Sequence, residues 1–437
     1  MGGGGEPEDF GDNEKDHGEV SDLRYNIGME KFYVTSPIYY ANSEPHIGSA
    51  YATLSADIIA RHYRLKLGKE NVFSLVGTDE HGQKVAQEAK DKGVDPKAYV
   101  DALVPKFKDA WKNLNIAYDV FMRTTDKQHE EEVGKVLQKI YDGDFVYSGV
   151  YEGLYCVGCE KFLTEKDLVD GKCPLHPNKK PIFQKEKNYF FKLKQFQPKL
   201  IELFESNEVE ILPENRKKEI LNRIKEGLED ISISREGVTW GIPVPWDSSQ
   251  TAYVWIEALF NYYTATRKEE KEKFWPADLH IVGKDILWFH TTIWCALLLA
   301  ADLPLPKVVF GHGFLILGGQ KISKSLGNVI APGELISQYG VDGARYLLAS
   351  ATEFGGDRDI KDGEFDDKYQ ADLANGLGNL VARIEALAEK LNVAGEKEEP
   401  EINLEVALQI EKYNFCGALD YIWQWIRNLD KYINEQG

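Results

Sequence analysis

Phe32-Tyr33-Val34-Thr35-Ser36-Pro37, followed after a short loop by Glu44-Pro45-His46-Ile47-Gly48-Ser49, is the stretch that decides the fold. Aromatic and β-branched residues running up to a proline read as a buried strand. Beyond the loop, Ile47, Tyr51, Leu54, Ile58 and Ile59 recur at helical spacing, predicting a helix over about 47–62. The pattern then repeats, with a second buried strand at 71–77, a polar loop and a helix from about Lys84. Strands alternating with helices imply an α/β fold with a parallel, doubly wound sheet. Such sheets bind ligands at the carboxyl ends of their strands, which places the chemistry in the 44–49 loop. A helix start there offers backbone N–H groups and a positive dipole end to a phosphate. Gly48 lets a nucleotide come close and His46 can donate to phosphate oxygens, although a histidine before a helix is more often a plain cap.

Outward from this core the texture changes. Between about 118 and 234, cysteines, glycines, lysines and short aromatic strands interrupt the rhythm, which suggests an inserted domain. The strand-and-helix pattern returns at 251–263 and 280–301, and 307–317 is another strand-like run. From about Tyr369 everything reads as helix. Leu373, Leu377, Leu380 and Ile384 form one apolar stripe, and a Glu- and Lys-rich hinge at 394–401 precedes another. The first 28 residues carry eight acids and two bases on a Gly-rich background, which reads as a disordered tail. They lack the basic start and apolar core of a signal peptide.

Composition narrows the classes. With 437 residues and 43% hydrophobic content the chain is long enough for several cores. Its longest apolar stretches, such as 294–301, are far too short to cross a bilayer, so no membrane partner is expected. A net charge of −19 argues against sequence-independent binding to nucleic acid, while leaving room for a local basic surface. Five cysteines in a chain this size are no secreted disulfide scaffold, and the cytoplasm is the default.

Two further motifs carry chemistry. Lys321-Ile322-Ser323-Lys324-Ser325, between Gly318-Gly319 and Gly327-Asn328, puts two lysines on a Gly-bounded loop that can reach a triphosphate and neutralise charge as pyrophosphate leaves. Cys156-x-x-Cys159 and Cys173-x-x-His176, with thirteen residues between the pairs, make a four-ligand set suited to tetrahedral Zn²⁺. Four protein ligands leave no open position, so a structural site is expected. Cys295 and Cys416 read as core thiols.

The 44–49 and 321–325 motifs, in this order, resemble the two signatures of class I aminoacyl-tRNA synthetases. Further segments resemble the methionyl family of that class. They are Thr35 to Asn42, Gly77-Thr78-Asp79-Glu80-His81-Gly82, Ile231 to Arg235, Tyr253-Val254-Trp255-Ile256-Glu257-Ala258, and Gly283-Lys284-Asp285-Ile286 through His290 and Trp294. The resemblance runs from Met29 to the last residue. It implies a Rossmann-type catalytic domain in two halves (29–117 and 233–320), a connective insertion with the zinc knuckles (118–232), a loop and stem-contact region (321–368), and a helical anticodon-binding domain (369–437) that looks truncated. It also implies a methionine site of Ile38, Tyr40, Asp79, Trp255, Ala258, Tyr262, Ile286, His290 and Trp294, where apolar, polarizable walls suit a thioether and Asp79 suits an ammonium. His290 and Tyr40 would turn polar groups toward the sulfur.

For ATP the resemblance implies His46, Gly48, Ser49, Gly283, Asp285, His312, Lys321 and Lys324, with Mg²⁺ held mainly by the nucleotide and Arg235 at the carboxylate or activated acyl centre. Asn379 and Arg383 would face the anticodon of tRNA(Met), and a monomer is the default. Ser49 stands where the family has histidine. Slow methionine activation, accelerated by Ser49→His, is therefore expected. Two rivals are a nucleotidyltransferase of the same superfamily and a non-catalytic tRNA-binding relative.

Overall fold

The computed structural model describes residues 30–157, 161–163, 165–174, 176–178, 180–268, 270–321, 330–393, 395 and 403–436. The 1–28 tail, Cys159, Lys324 and most of the 394–401 hinge lie outside the described residues.

β1 (Phe32–Tyr40) leads into α1 (Ile47–Leu67), and β2 (Val72–Asp79) into α2 (Gln83–Asp91) and α3 (Pro96–Asn113). After β3 (Val120–Arg123) and α4 (Lys127–Asp142) comes an antiparallel sheet of β4 (Val146–Cys156), β5 (Lys161–Leu163) and β6 (Ile182–Phe191). The chain continues through α5 (Gln197–Glu205), β7 (Glu210–Leu212) and α6 (Glu214–Lys225). Next, β8 (Ile231–Ser232) pairs with β6, and β9 (Ser234–Arg235), β10 (Pro243–Val244) and β11 (Asp247–Ala252) form a small sheet of their own. Helices α7 (Val254–Leu259) and α8 (Asn261–Thr264) precede β12 (Leu279–Gly283). A π-helical turn over Phe289–Ile293 then runs into α9 (Trp294–Ala300), and β13 (Val308–His312) follows.

The main sheet has the order β3-β2-β1-β12-β13-β7, parallel throughout. Alternate side chains divide between two cores, as a sheet covered on both faces requires. Phe32, Val34, Val76, Ile281 and Phe310 face α1, α3 and the C-terminal helices, whereas Tyr33, Phe73, Leu75, Val282 and Val309 face the other layer. Pro37 is accommodated because the β1–β2 register shifts between Thr35 and Ile38, so the residue that cannot donate sits in the irregularity.

The structure corrects the boundaries of the insertion expected at 118–232. Both edge strands of the main sheet, β3 and β7, come from inside that range. Strands of four and three residues are too short to leave a period in the sequence. The run at 307–317 also divides, giving β13 and then β14 (Leu315–Leu317), which forms a hairpin with β15 (Gln320–Lys321) across Gly318 and Gly319. Both glycines have φ near the left-handed region (58° and 77°), as a two-residue hairpin turn needs.

After α10 (Pro332–Ala349), β16 (Arg358–Ile360) and α11 (Glu364–Lys368), the rest is helical: a π-helical stretch (Tyr369–Gly378), α12 (Asn379–Leu391), α13 (Leu404–Glu411) and α14 (Phe415–Gln436). This part is tied to α1 by polar contacts. Asp57, with a fully buried side chain, accepts from Arg61 Nε at 2.9 Å and Arg345 Nη2 at 2.7 Å. Glu411 pairs with His62 at 2.9 Å and Lys66 at 2.7 Å. Burial acts upward on the Glu411 carboxyl, but these two partners outweigh it and hold it down at about 2. Among the described residues no helix is long and apolar enough to cross a membrane.

Candidate active site

The loop between β1 and α1 is built as a self-capping helix start. His46 is the N-cap, with extended backbone, and its Nδ1 accepts from Gly48 N–H at 3.1 Å. That bond leaves the ring proton on Nε2. The Ser49 hydroxyl accepts from His46 N–H at 3.0 Å and donates to His46 C=O at 2.7 Å, which completes a capping box. Ile47 N–H is taken by Ile330 C=O at 3.0 Å. The expectation that this helix start presents open N–H groups to a phosphate is therefore corrected. Two of them are already bonded, and Ser49 points back at the cap.

The carboxyl ends of four parallel strands meet beside this cap. Tyr40 is opposite Asp79 across β1 and β2, and Gly283 is opposite His312 across β12 and β13. Gly77, one turn of the pleat before Asp79, has no room for a side chain. A Cβ there would lie 2.4 Å from Met122 O and 2.9 Å from Ile38 Cγ2, which lets Ile38 pack against the strand. Asp285 is exposed just beyond Gly283, and Lys284 pairs with Asp357. His312 Nδ1 donates to Gly313 C=O at 2.7 Å. The backbone of Lys321 lies in β15 against Ile316, and Lys324 is outside the described residues.

Next to these strand ends lies an aromatic cluster. Tyr40 meets Trp255 edge-on with centroids 6.1 Å apart, and Trp255 stacks on Phe289 at 4.1 Å. The Asp79 carboxylate is close enough to push the Tyr262 hydroxyl upward, beneath the larger effect of burial. Tyr262 packs within 6.2 Å of Trp294 and 5.6 Å of His290. His290 Nδ1 donates to Ile286 C=O at 3.0 Å, so its Nε2 is the acceptor for the Tyr262 O–H at 2.8 Å. Burial keeps this imidazole neutral, lowering its pKa to about 4. Both ring nitrogens are used. The expectation that His290 turns a polar group toward a sulfur gives way to one in which it fixes Tyr262. The π turn at Phe289–Ile293 is what puts His290 and Trp294 on the cluster's side, and such turns are frequent at functional sites. Ala258 is buried on the same short helix as Trp255.

Arg235, buried on β9, donates from Nη1 to Ser232 Oγ at 2.9 Å and Ser234 O at 2.8 Å, and its guanidinium lies 4.0 Å over the Tyr253 ring. Its orientation is fixed before any ligand arrives.

Farther out, Cys156 Sγ, Cys173 Sγ and a His176 ring nitrogen converge within 4.8 Å of one another. Both sulfurs are 3.8–3.9 Å from His176 Nδ1. Such separations match the edges of a tetrahedron around a metal with about 2.0–2.3 Å bonds. Cys159, the fourth ligand expected, lies outside the described residues. Asn379 is exposed on α12, and Arg383 pairs with Asp430 and donates to Asn434 Oδ1 at 2.7 Å.

A family model described as tRNA synthetases class I (M) matches residues 32–180 and 176–385. The methionine–tRNA ligase of Clostridium acetobutylicum is 46% identical over 427 residues, covering 93% of this chain and 66% of that protein. That of Synechocystis is 42% identical over 428 residues, covering 92% and 80%. The structure of Mycobacterium tuberculosis methionyl-tRNA synthetase in complex with methionyl-adenylate superposes with a TM-score of 0.86 at 35% identity, covering 93% of this chain and 84% of that one. The chain belongs to the methionyl-tRNA synthetase family of class I. It spans 66% of the length of the Clostridium acetobutylicum relative.

Family membership leaves one group of residues that motif reading missed. Glu80, His81, His129 and Glu257 are buried and bonded to one another's elements. His280 lies behind the aromatic cluster between Thr35 Oγ1 at 2.7 Å and Trp294 Nε1 at 3.3 Å. Three of them stand inside segments that carried the resemblance, but a sequence does not show which residues those segments face.

Proposed function

We propose that this chain catalyses ATP-dependent activation of L-methionine to methionyl-adenylate and transfer of the methionyl group to tRNA(Met). The observation that carries the reading is one buried carboxylate, Asp79, beside an aromatic cluster at the carboxyl ends of β1 and β2, adjoining the His46 cap. In this reading Asp79 holds the substrate ammonium. Tyr40, Trp255, Tyr262 and Trp294, with Ile38, Ala258 and Ile286, surround the thioether, whose sulfur packs well at aromatic edges. The pinned guanidinium of Arg235 serves the carboxylate.

An oxygen of that carboxylate attacks the α-phosphorus of ATP, the bond to the α,β-bridging oxygen breaks, and pyrophosphate leaves with its Mg²⁺. A hydroxyl of the terminal tRNA adenosine then attacks the acyl carbon and AMP leaves. The first step calls for positioning and charge stabilisation more than for a base. His46 Nε2–H, Lys321 and Lys324 serve the phosphates, while Gly283, Asp285 and His312 serve the adenosine. Ser49 contributes through the cap it closes.

Cys156, Cys159, Cys173 and His176 would hold a zinc ion, whose contribution is a structural cross-link without an open coordination position. The chain works as a cytoplasmic monomer, with the β4–β6 sheet and its Cys/His knuckle as the insertion over a catalytic domain whose sheet also takes in β3 and β7, 321–368 as the phosphate loop and stem-contact region, and Asn379 and Arg383 toward the anticodon. Methionine-dependent ATP–pyrophosphate exchange tests the reading. It is expected with methionine, weaker by orders of magnitude with leucine, and reduced about 100-fold or more in His46→Ala. Exchange that favours leucine, or none with methionine, overturns it.

A further inference from the structure

Glu257 sits on α7 between Trp255 and Ala258, and its side chain is completely buried. Its Oε1 accepts from His81 Nδ1 at 2.9 Å and its Oε2 from His129 Nε2 at 3.1 Å. His129 Nδ1 bonds Thr264 Oγ1 at 2.8 Å, while Thr264 Oγ1 donates to Asn261 C=O at 3.3 Å. One carboxylate thus joins α7, α8, α4 and the loop after β2. A buried ionisable trio is an expensive way to fill space, because well-packed apolar side chains of similar volume stabilise a core as well or better. Directional bonds supply what packing does not, a fixed distance between elements.

The loop held by this bridge is the one that bears Asp79. On its sheet side, Glu80 accepts from Arg123 Nε and Nη2 at 2.8 Å each and from Thr78 Oγ1 at 2.6 Å, and its N–H donates to Thr124 Oγ1 at 2.9 Å. Trp240 Nε1–H donates to Glu80 C=O at 2.6 Å, Gly82 N–H donates to Trp240 C=O at 3.0 Å, and the His81 ring meets Trp240 edge-on at 5.2 Å. Glu80 therefore fixes Asp79 against the sheet. Toward α7, His81 ties the loop to Glu257. That tie spans from the carboxylate end of the site to the helix that carries Trp255 and Ala258.

We propose that Glu257 and His81 are positioning residues for amino-acid recognition, setting the span between Asp79 and the Trp255–Ala258 wall and so the length of side chain the site accepts. The proposal rests on the methionine reading above. Neither residue touches substrate in it; both act through Asp79 and Trp255. Phosphate binding, centred on the His46 cap, is not routed through this bridge.

The test is ATP–pyrophosphate exchange on the full chain, with KM taken separately for methionine and ATP in wild type, His81→Ala, His81→Asn and Glu257→Gln. An asparagine amide can stand where Nδ1–H stands. His81→Ala is expected to raise the KM for methionine about tenfold with the KM for ATP within about twofold, since small misplacements of a binding group carry losses of this order. His81→Asn is expected to recover most of it. If His81→Ala does not fold, as read by circular dichroism, the same split is read on Glu257→Gln, which keeps the shape of the bridge. Unchanged KM for methionine, equal rises in both constants, or no recovery by asparagine would overturn the proposal. Wild-type exchange with methionine in the same series shows that such a result sinks the positioning role alone, whereas wild type without exchange sinks the underlying reading.

Discussion

The aromatic cluster at the strand ends and the Cys/His knuckle are held by opposite means. The cluster leans on a core of dozens of buried side chains, with Trp294, Tyr262 and Phe260 fully enclosed. The knuckle has a core of Cys156, Leu163 and Cys173 with Leu168 against them and leaves its own Val169 exposed, and the β4–β6 hairpin beside it exposes Val150, Ile182 and Phe183. Where buried apolar area is plentiful, polar site groups are positioned by packing and by their own hydrogen bonds. Where it is scarce, two thiols and an imidazole must be joined by something stronger than packing.

Removing the proposed zinc should have the largest effect and should stay local. Structural zinc in small modules contributes on the order of 10 kcal/mol of folding free energy. Chelation, or Cys173→Ser, is expected to abolish a one-to-one zinc content read by emission spectroscopy and to release amide protons across β4 to β6, leaving protection in the main sheet intact. Equal loss of protection in both regions would erase the contrast. Trp294→Ala attacks the other side. A fully buried tryptophan truncated to alanine costs about 3–5 kcal/mol, read as a shift in the denaturant midpoint of the main transition while zinc content stays unchanged.

Acid separates the two regions by another route. The His290 pKa is near 4 in the fold, against an ordinary 6.5 once unfolded, because burial penalises its charged form. Its contribution is thus fully present above pH 6.5 and lost as pH falls toward 4, an amount of roughly 3 kcal/mol. His280, lowered by burial and by His290, acts in the same direction. Thermal melts from pH 7 to 4 should show a steep decline in wild type and a flatter one in His290→Phe. The smallest effect is expected at the exposed Lys185–Glu152 pair on the hairpin, where Glu152→Gln should move stability by less than about 1 kcal/mol.

How much of this was legible in the sequence follows from the same contrast. Continuous apolar runs such as 32–37 and 71–77 announce strands covered on both faces, so the doubly wound sheet was readable from them. The edge strands β3 and β7 were not, since three or four residues carry no period. The cluster's members could be named because several of them stand in motif-like runs. Their roles could not, since the proton positions on His46 and His290 depend on Gly48 N–H and Ile286 C=O, which only folding brings to them. The Glu257 bridge joins residues 176 and 128 positions apart, a separation no local pattern can encode.

The π turn over Phe289–Ile293 holds one residue more than an α-helical path would need. Deleting that residue would restore ordinary winding and swing the preceding side chains by about 100° around the axis, since an α-helix has 3.6 residues per turn. His290 would rotate off Tyr262 while Trp294 kept its place against the sheet. The surplus residue is therefore a register setting, which decides the face that His290 presents to Tyr262 while the sheet beneath stays as it is.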